Sequence, residues 1–212
     1  MSHSPTPAAS ITLYGFALSG HCHRVELFMS LTRLPYQVVP VDLRGGEQKR
    51  PEFLQLNRFG QVPVIDDAGT IIADSNAILV YLATKYGLSN WYPQDPVLIA
   101  RVQRWLSIAA GPLAFGPAMA RAITLFRPHE DAAPAIQRAT QLFAVMNQEL
   151  EQQPFLIGAA PTIADIAMYS YTAHAPEGHV SLESYPHIRA WVTRIEALPG
   201  FIAMAKPPVS RT

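Results

Sequence analysis

Three short stretches carry residue types that could hold and activate a thiol. The first is Ser19-Gly20-His21-Cys22-His23-Arg24-Val25, where a β-prone segment gives way to a helical one. A hydroxyl at a helix start lies among N–H groups without intrahelical partners, at the positive end of the dipole, which favours an anion. Ser19 can therefore be read as an ordinary N-cap or as the donor of a hydrogen bond to a bound thiolate. The second stretch is Val62-Pro63. Proline cannot donate to a ladder and belongs at a strand start or edge, and a cis bond would leave the Val62 N–H and C=O to pair with an extended peptide ligand. The third is Asp74-Ser75 at another helix start. It reads as a cap with an acidic first turn, or as a carboxylate and hydroxyl that grip an amino acid head group.

Cys22 gives a rival chemistry, because Ser19-x-x-Cys22 has the spacing of a redox pair with serine in the first position. One turn into the helix, Cys22 faces the same way as Val25 and Met29, which suits a buried, inert thiol. A peroxidase or reductase working through Cys22 is the alternative to a serine mechanism. His21 and His23, two residues apart on a helix, point to nearly opposite sides, and with no second ligand cluster no metal is expected. His174 and His179 fall in a loop containing Pro and Gly and give no readable signal.

The elements that must position these residues follow from hydrophobic period. Ile11 to Phe16 alternates and is β-prone. Cys22, Val25, Phe28, Met29 and Thr32 recur at helical steps, Pro35 ends that run, and Tyr36 to Val41 is a second strand. Strand, helix, strand implies a parallel pair with a right-handed crossover. A turn at Gly45-Gly46 precedes a short helix through Phe53-Leu54. Val62 to Ile65 and Thr70 to Ile72 flank four turn residues, Asp66 to Gly69, as a hairpin. Asp74-Ser75 then opens a helix carrying Ala77, Ile78, Tyr81 and Leu82. The order β-α-β-α-β-β-α is that of the thioredoxin-like layout, and of other small α/β topologies. Residues 88–96 hold turn formers and two prolines and read as a linker. Beyond them no strand is expected: Val97 to Ala110, Ala133 to Gln152, Ile163 to Thr172 and Pro186 to Leu198 carry helical period, broken by Gly and Pro clusters. The expected organisation is a loose tail over 1–10, an α/β domain over 11–87, the linker, and an all-helical domain over 97–212.

Bulk properties narrow the function. With 212 residues, 49% hydrophobic and 15% charged, the chain has the composition of a globular protein. Its formal net charge is zero, so no basic excess exists to displace counterions from nucleic acid. A single cysteine excludes an intrachain disulfide and fits a reducing compartment. The N-terminal stretch has neither the positive nor the apolar region of a signal peptide, and no apolar run approaches the ~20 residues of a membrane span. A cytoplasmic protein without nucleic-acid or membrane partners is expected.

Taken together, Ser19 to Val25, the run Asn57-Arg58-Phe59-Gly60-Gln61-Val62-Pro63-Val64-Ile65-Asp66, and Ile72-Ala73-Asp74-Ser75-Asn76-Ala77-Ile78 resemble the N-terminal domain of the cytosolic glutathione transferases. Pro161-Thr162-Ile163-Ala164-Asp165-Ile166 resembles the capping box of that family's helical domain, with Thr162 as cap and Asp165 reaching back; this pair belongs to folding. The resemblance implies a thioredoxin-like α/β domain followed by an all-α domain, with glutathione as co-substrate and no metal. Position by position it implies that Ser19 stabilises the thiolate, Val62 before a cis Pro63 holds the cysteinyl backbone, and Asp74 and Ser75 bind the γ-glutamyl end. Gln48 falls where relatives meet the glycyl carboxylate, with Lys49 and Gln61 nearby. It is uncharged where some relatives use histidine, and the activating tyrosine of other classes falls near Gly15, leaving Tyr14 a sheet residue. A hydrophobic electrophile would be lined by Leu18, Trp105, Ala109, Leu113 and Phe115, each of which equally suits a core. A homodimer is expected; a glutathione-dependent peroxidase or reductase using Cys22 and a non-catalytic glutathione- or ligand-binding protein are the alternatives.

Overall fold

The alternation of Ile11 and Leu13 with Thr12 and Tyr14 becomes strand β1 (Ile11–Gly15), its odd residues buried and its even ones half-buried. In the computed structural model, which describes residues 10–207, β1 is followed by α1 (Gly20–Leu31), β2 (Tyr36–Pro40), α2 (Pro51–Leu56), β3 (Val64–Asp67), β4 (Thr70–Ala73) and α3 (Ser75–Lys85). The expected tail lies, apart from Ser10, outside the described residues. The sheet order is β2-β1-β3-β4, with β1 parallel to β2 and antiparallel to β3. Leu13 sits opposite Ile65, and Tyr14 opposite Val64, so these pairs define the two faces of the sheet. On one face Gly15 meets Cys22 of α1, where an added Cβ would lie 3.3 Å from the Cys22 Cβ. On the other, Tyr14 packs with Val41, Phe53 and Val64 under α2, the structural role expected for it.

The hairpin between β3 and β4 is tighter than its four turn-forming residues suggest. Asp67 pairs with Thr70, leaving only Ala68 (φ 51°) and Gly69 (φ 86°) as the loop, the left-handed pair that two-residue hairpins favour. Asp67 is consequently a strand residue, 3% exposed, and accepts from Tyr81 Oη (3.1 Å), Lys85 Nζ (2.8 Å) and Tyr86 Oη (2.9 Å). Burial alone would raise its carboxyl, but the hydrogen bonds from Lys85, Tyr86 and Tyr81 outweigh it and hold Asp67 below the ordinary carboxylate range. A depressed carboxylate contributes stability that is complete above its unfolded value and is lost as pH falls through the folded one. Asp67→Asn is therefore expected to lose stability at neutral pH and to flatten the decline below about pH 4, measured by denaturant midpoints across pH. An acid limb as steep as wild type would contradict this.

The second unit, Asn90–Leu198, contains α4 (Pro96–Ile108), a π-helical segment (Ala109–Ala118), α5 (Met119–Phe126), α6 (Ala133–Glu151), α7 (Ile163–Ala173) and α8 (Pro186–Glu196). Here the structure corrects the sequence reading. The cluster Gly111-Pro112 and Gly116-Pro117, read as a break after Ala110, lies inside a continuous helix. A π segment wraps more residues per turn and absorbs prolines that cannot supply an N–H. Continuity makes Pro96–Phe126 long and apolar enough for a membrane span by length and composition, unlike the shorter runs on either side of the supposed break. Val102, Trp105, Leu106, Ala109 and Leu113 on it are buried, while Val97 and Phe115 are exposed. α7 is buried from Ile163 to Thr172 and packs against α4 and α8.

The expected capping box opens α7: Thr162 Oγ1 accepts from Ala164 N–H and Asp165 reaches back to Thr162 N–H. Residues 199–207 join the first unit instead of the helical one: Ser30 Oγ donates to Gly200 O at 2.6 Å, and His23 Nε2 lies 3.0 Å from Ile202 O.

Candidate active site

A cavity of about 700 Å³ opens in the first unit. Of the residues singled out for thiol handling, Ser19, Gln48, Gln61, Val62, Pro63, Asp74 and Ser75 all line it. Ser19 is the N-cap of α1, and its Oγ accepts from Cys22 N–H at 3.3 Å. A hydroxyl that accepts keeps its own hydrogen to donate, so capping and donation to a thiolate are compatible roles for one side chain. The Val62-Pro63 bond is cis, and both residues stand before the first laddered residue of β3, Val64.

Asp74 caps α3 with φ 73° and ψ 123°, a conformation L-residues rarely adopt and which persists where its surroundings fix it. Its Oδ1 accepts from Asn76 N–H and Ala77 N–H, both at 2.9 Å. The Ser75 N–H, one residue earlier, lies outside this cap, at the dipole's positive end. Among the described residues no Lys or Arg lines the cavity, whereas the Asp74 carboxylate does, so its negative charge stands beside hydroxyls and the N–H groups of two helix starts.

Lys49 and Leu18, also expected at the site, do not line this cavity. Lys49 Nζ donates to Phe59 O and Gly60 O, both at 3.1 Å. Those bonds brace a loop in which Gly60 has φ 58° and no room for a Cβ, 2.6 Å from Gln48 O. Gln48 Nε2 lies 3.4 Å from Leu43 O, and its Oε1 is buried without a partner. Leu18 is half-buried. In the helical unit Trp105, Ala109 and Leu113 are buried, although Trp105 also borders a groove with Arg101 and Gln148. Phe115 is 56% exposed and lines a separate groove of about 630 Å³ with Pro112, Leu142 and Val145.

Cys22 is 4% exposed and absent from the cavity wall. Its Sγ accepts from Phe16 N–H at 3.3 Å, and burial pushes the thiol up to about 11, far from the thiolate that redox exchange needs. The residue that sequence reasoning missed is His21. It lines the cavity, with Nδ1 3.4 Å from Ser75 Oγ. Burial, helped by the Arg24 cation, lowers it to about 3, so the ring is neutral at physiological pH. The signal was there in its place two residues after Ser19, but its partner lies 54 positions away. His174 Nδ1 is 2.7 Å from Glu177, which also accepts from buried Arg121 at 2.6 Å.

Comparison with known proteins places both units. Residues 18–85 match the model of the glutathione S-transferase N-terminal domain, and residues 108–199 that of the C-terminal domain. The chain is 31% identical to glutathione S-transferase 3 of Zea mays, covering 95% of this chain and 99% of that one. It is 32% identical to the disulfide-bond oxidoreductase YfcG of Escherichia coli, covering 90% and 92%. Among solved structures, a glutathione S-transferase from Pseudomonas fluorescens superposes with a TM-score of 0.88 at 32% identity, over 93% of this chain and 100% of that one.

Proposed function

The chain belongs to the glutathione S-transferase family, and on that premise we propose that it conjugates glutathione to a small hydrophobic electrophile through a thiolate held by Ser19. The observation that carries this reading is a donor hydroxyl at the start of α1 sharing one cavity with Val62, Asp74 and Ser75. In this reading the Val62 backbone pairs with the cysteinyl residue. Asp74 meets the γ-glutamyl amine, Ser75 meets its carboxylate, and Gln48 and Gln61 contact the glycyl end. A free thiol titrates near ~8.5 and is a few per cent ionised at neutral pH. A hydrogen bond to a charged group is worth about 1.5–3 kcal/mol, and one pKa unit about 1.4 kcal/mol. The Ser19 hydrogen bond thus lowers a bound thiol by about one to two units, leaving a large fraction as nucleophile.

The test is calorimetric binding of glutathione followed by conjugation of a model aryl halide. Affinity with turnover supports the reading, affinity without turnover on a panel of electrophiles leaves a binding protein, and no affinity contradicts it. A homodimer in a reducing compartment goes with this function. Phe59, which lines the cavity and is 81% exposed, offers apolar surface for a subunit contact; sedimentation at 23.3 kDa would contradict a dimer.

The Escherichia coli relative favours a second reading, disulfide reduction. With Cys22 buried, the exchange would run through bound glutathione. One glutathione thiolate attacks the substrate disulfide and displaces a thiol, and a second resolves the mixed disulfide to glutathione disulfide and the second thiol. Cys22→Ala is expected to leave both conjugation and disulfide turnover unchanged; loss of either rate in a folded variant would restore Cys22 as the reacting group.

A further inference from the structure

The wall of the cavity beside Ser75 contains more than a hydroxyl. Ser75 is 4% exposed, and two nitrogen groups from α1 close on its Oγ: Arg24 Nη1 at 3.2 Å and His21 Nδ1 at 3.4 Å. Arg24 is itself buried, and the same Nη1 donates to Asn76 Oδ1 at 2.8 Å, which fixes the guanidinium against the start of α3. A guanidinium can only donate, so one lone pair of Ser75 Oγ is taken. A hydroxyl has two lone pairs and one hydrogen.

We propose that His21, protonated on Nδ1, is a positioning residue that takes the second lone pair of Ser75 Oγ and so commits the Ser75 hydroxyl to donate into the cavity. With both acceptor sites filled from behind, the hydroxyl can present only its hydrogen to a ligand. It then matches a group that only accepts, the free carboxylate of the γ-glutamyl end, and cannot accept from one that only donates, such as an ammonium. The two donors also polarise the hydroxyl, which strengthens the bond it gives. The proposal rests on the glutathione reading of this site and adds the reason for its choice of a carboxylate. It gives His21, until now a residue without a function, a role exerted through Ser75.

The test compares two peptides on the wild type, His21→Leu and His21→Asn. The peptides are glutathione and its decarboxylated analogue γ-aminobutyryl-cysteinyl-glycine, which keeps the thiol and the amine. His21→Leu is expected to weaken glutathione about three- to tenfold, the range of one neutral hydrogen bond, and to leave the analogue unchanged. The loss is expected in Kd and KM for glutathione, with kcat at saturation retained. His21→Asn, whose side-chain amide can donate to Ser75, is expected to recover the glutathione affinity. The imidazole nitrogen shifts of the wild type are expected to report the Nδ1–H tautomer. Equal losses for both peptides, no loss, or an Nε2–H tautomer would overturn the role of His21 while glutathione binding by the wild type stands. A wild type that binds neither peptide overturns the site reading and the role of His21 together.

Discussion

Alanine at position 19 is expected to lower kcat/KM for conjugation by about eight- to twenty-fivefold at neutral pH, the change in thiolate fraction for a thiol moved by one to two units, with glutathione affinity nearly retained. The asymmetry follows from where the hydroxyl acts. Binding of the tripeptide is spread over Val62, Asp74, Ser75 and the glutamines that line the same cavity, whereas the sulfur meets Ser19. Removing that donor raises the thiol by about one to two units, so the rate deficit shrinks as pH rises above the value for a free thiol. Alanine also removes the α1 cap, since Oγ accepts from Cys22 N–H, a loss of about 1 kcal/mol in stability. Glycine separates the two effects. It costs only a few tenths of a kcal/mol as a cap but has no hydroxyl, so Ser19→Gly is expected to lose rate as alanine does while staying closer to wild-type stability. Ser19→Thr, which keeps the hydroxyl, is expected to retain activity. Full activity in the alanine variant would remove Ser19 from the mechanism.

The largest loss of stability is expected from Asp165→Ala, by about 3–5 kcal/mol. Asp165 is wholly buried. Oδ1 accepts from Leu156 N–H and Trp191 Nε1, both at 2.9 Å. Oδ2 accepts from Thr162 N–H at 2.8 Å and Thr162 Oγ1 at 3.2 Å. Alanine strands four buried donors at once, and each orphan costs about 1–3 kcal/mol before the surroundings relax. The carboxylate also ties three parts of the helical unit: the loop at Leu156, the start of α7 and the α8 tryptophan. Asparagine retains one acceptor oxygen and is expected to lose markedly less. Urea denaturation reads both, and an alanine midpoint equal to wild type would show that the network contributes nothing net.

The parts of the fold that could be read early were those set by neighbours in sequence. Ile11 and Leu13 show the strand by alternation, Asp74 and Thr162 mark helix starts by residue type, and Ser19 sits where a strand pattern yields to a helix pattern. What escaped reading depends on partners far along the chain. Asp67 has the composition of a turn and becomes a buried hub only because α3 and the residue that caps its end return Tyr81, Lys85 and Tyr86 to it. His21 finds its meaning 54 residues on, at Ser75. Lys49 looked like a cation for a carboxylate, yet the left-handed turn at Gly60 brings two carbonyls to its ammonium. Pro112 and Pro117 signal a helix end by every local rule, and a π segment carries the helix through them. Burial of Trp105 and Leu113 shows why an apolar side chain on a helix does not by itself mark a substrate pocket.

The central claim is that the Ser19 hydroxyl keeps bound glutathione as a thiolate. Ultraviolet titration of thiolate absorbance in the binary complex measures this without any electrophile. The wild-type complex is expected to ionise about one to two units below the free-thiol value of ~8.5, and the Ser19→Ala complex close to that value. The same titration in both proteins would contradict the account.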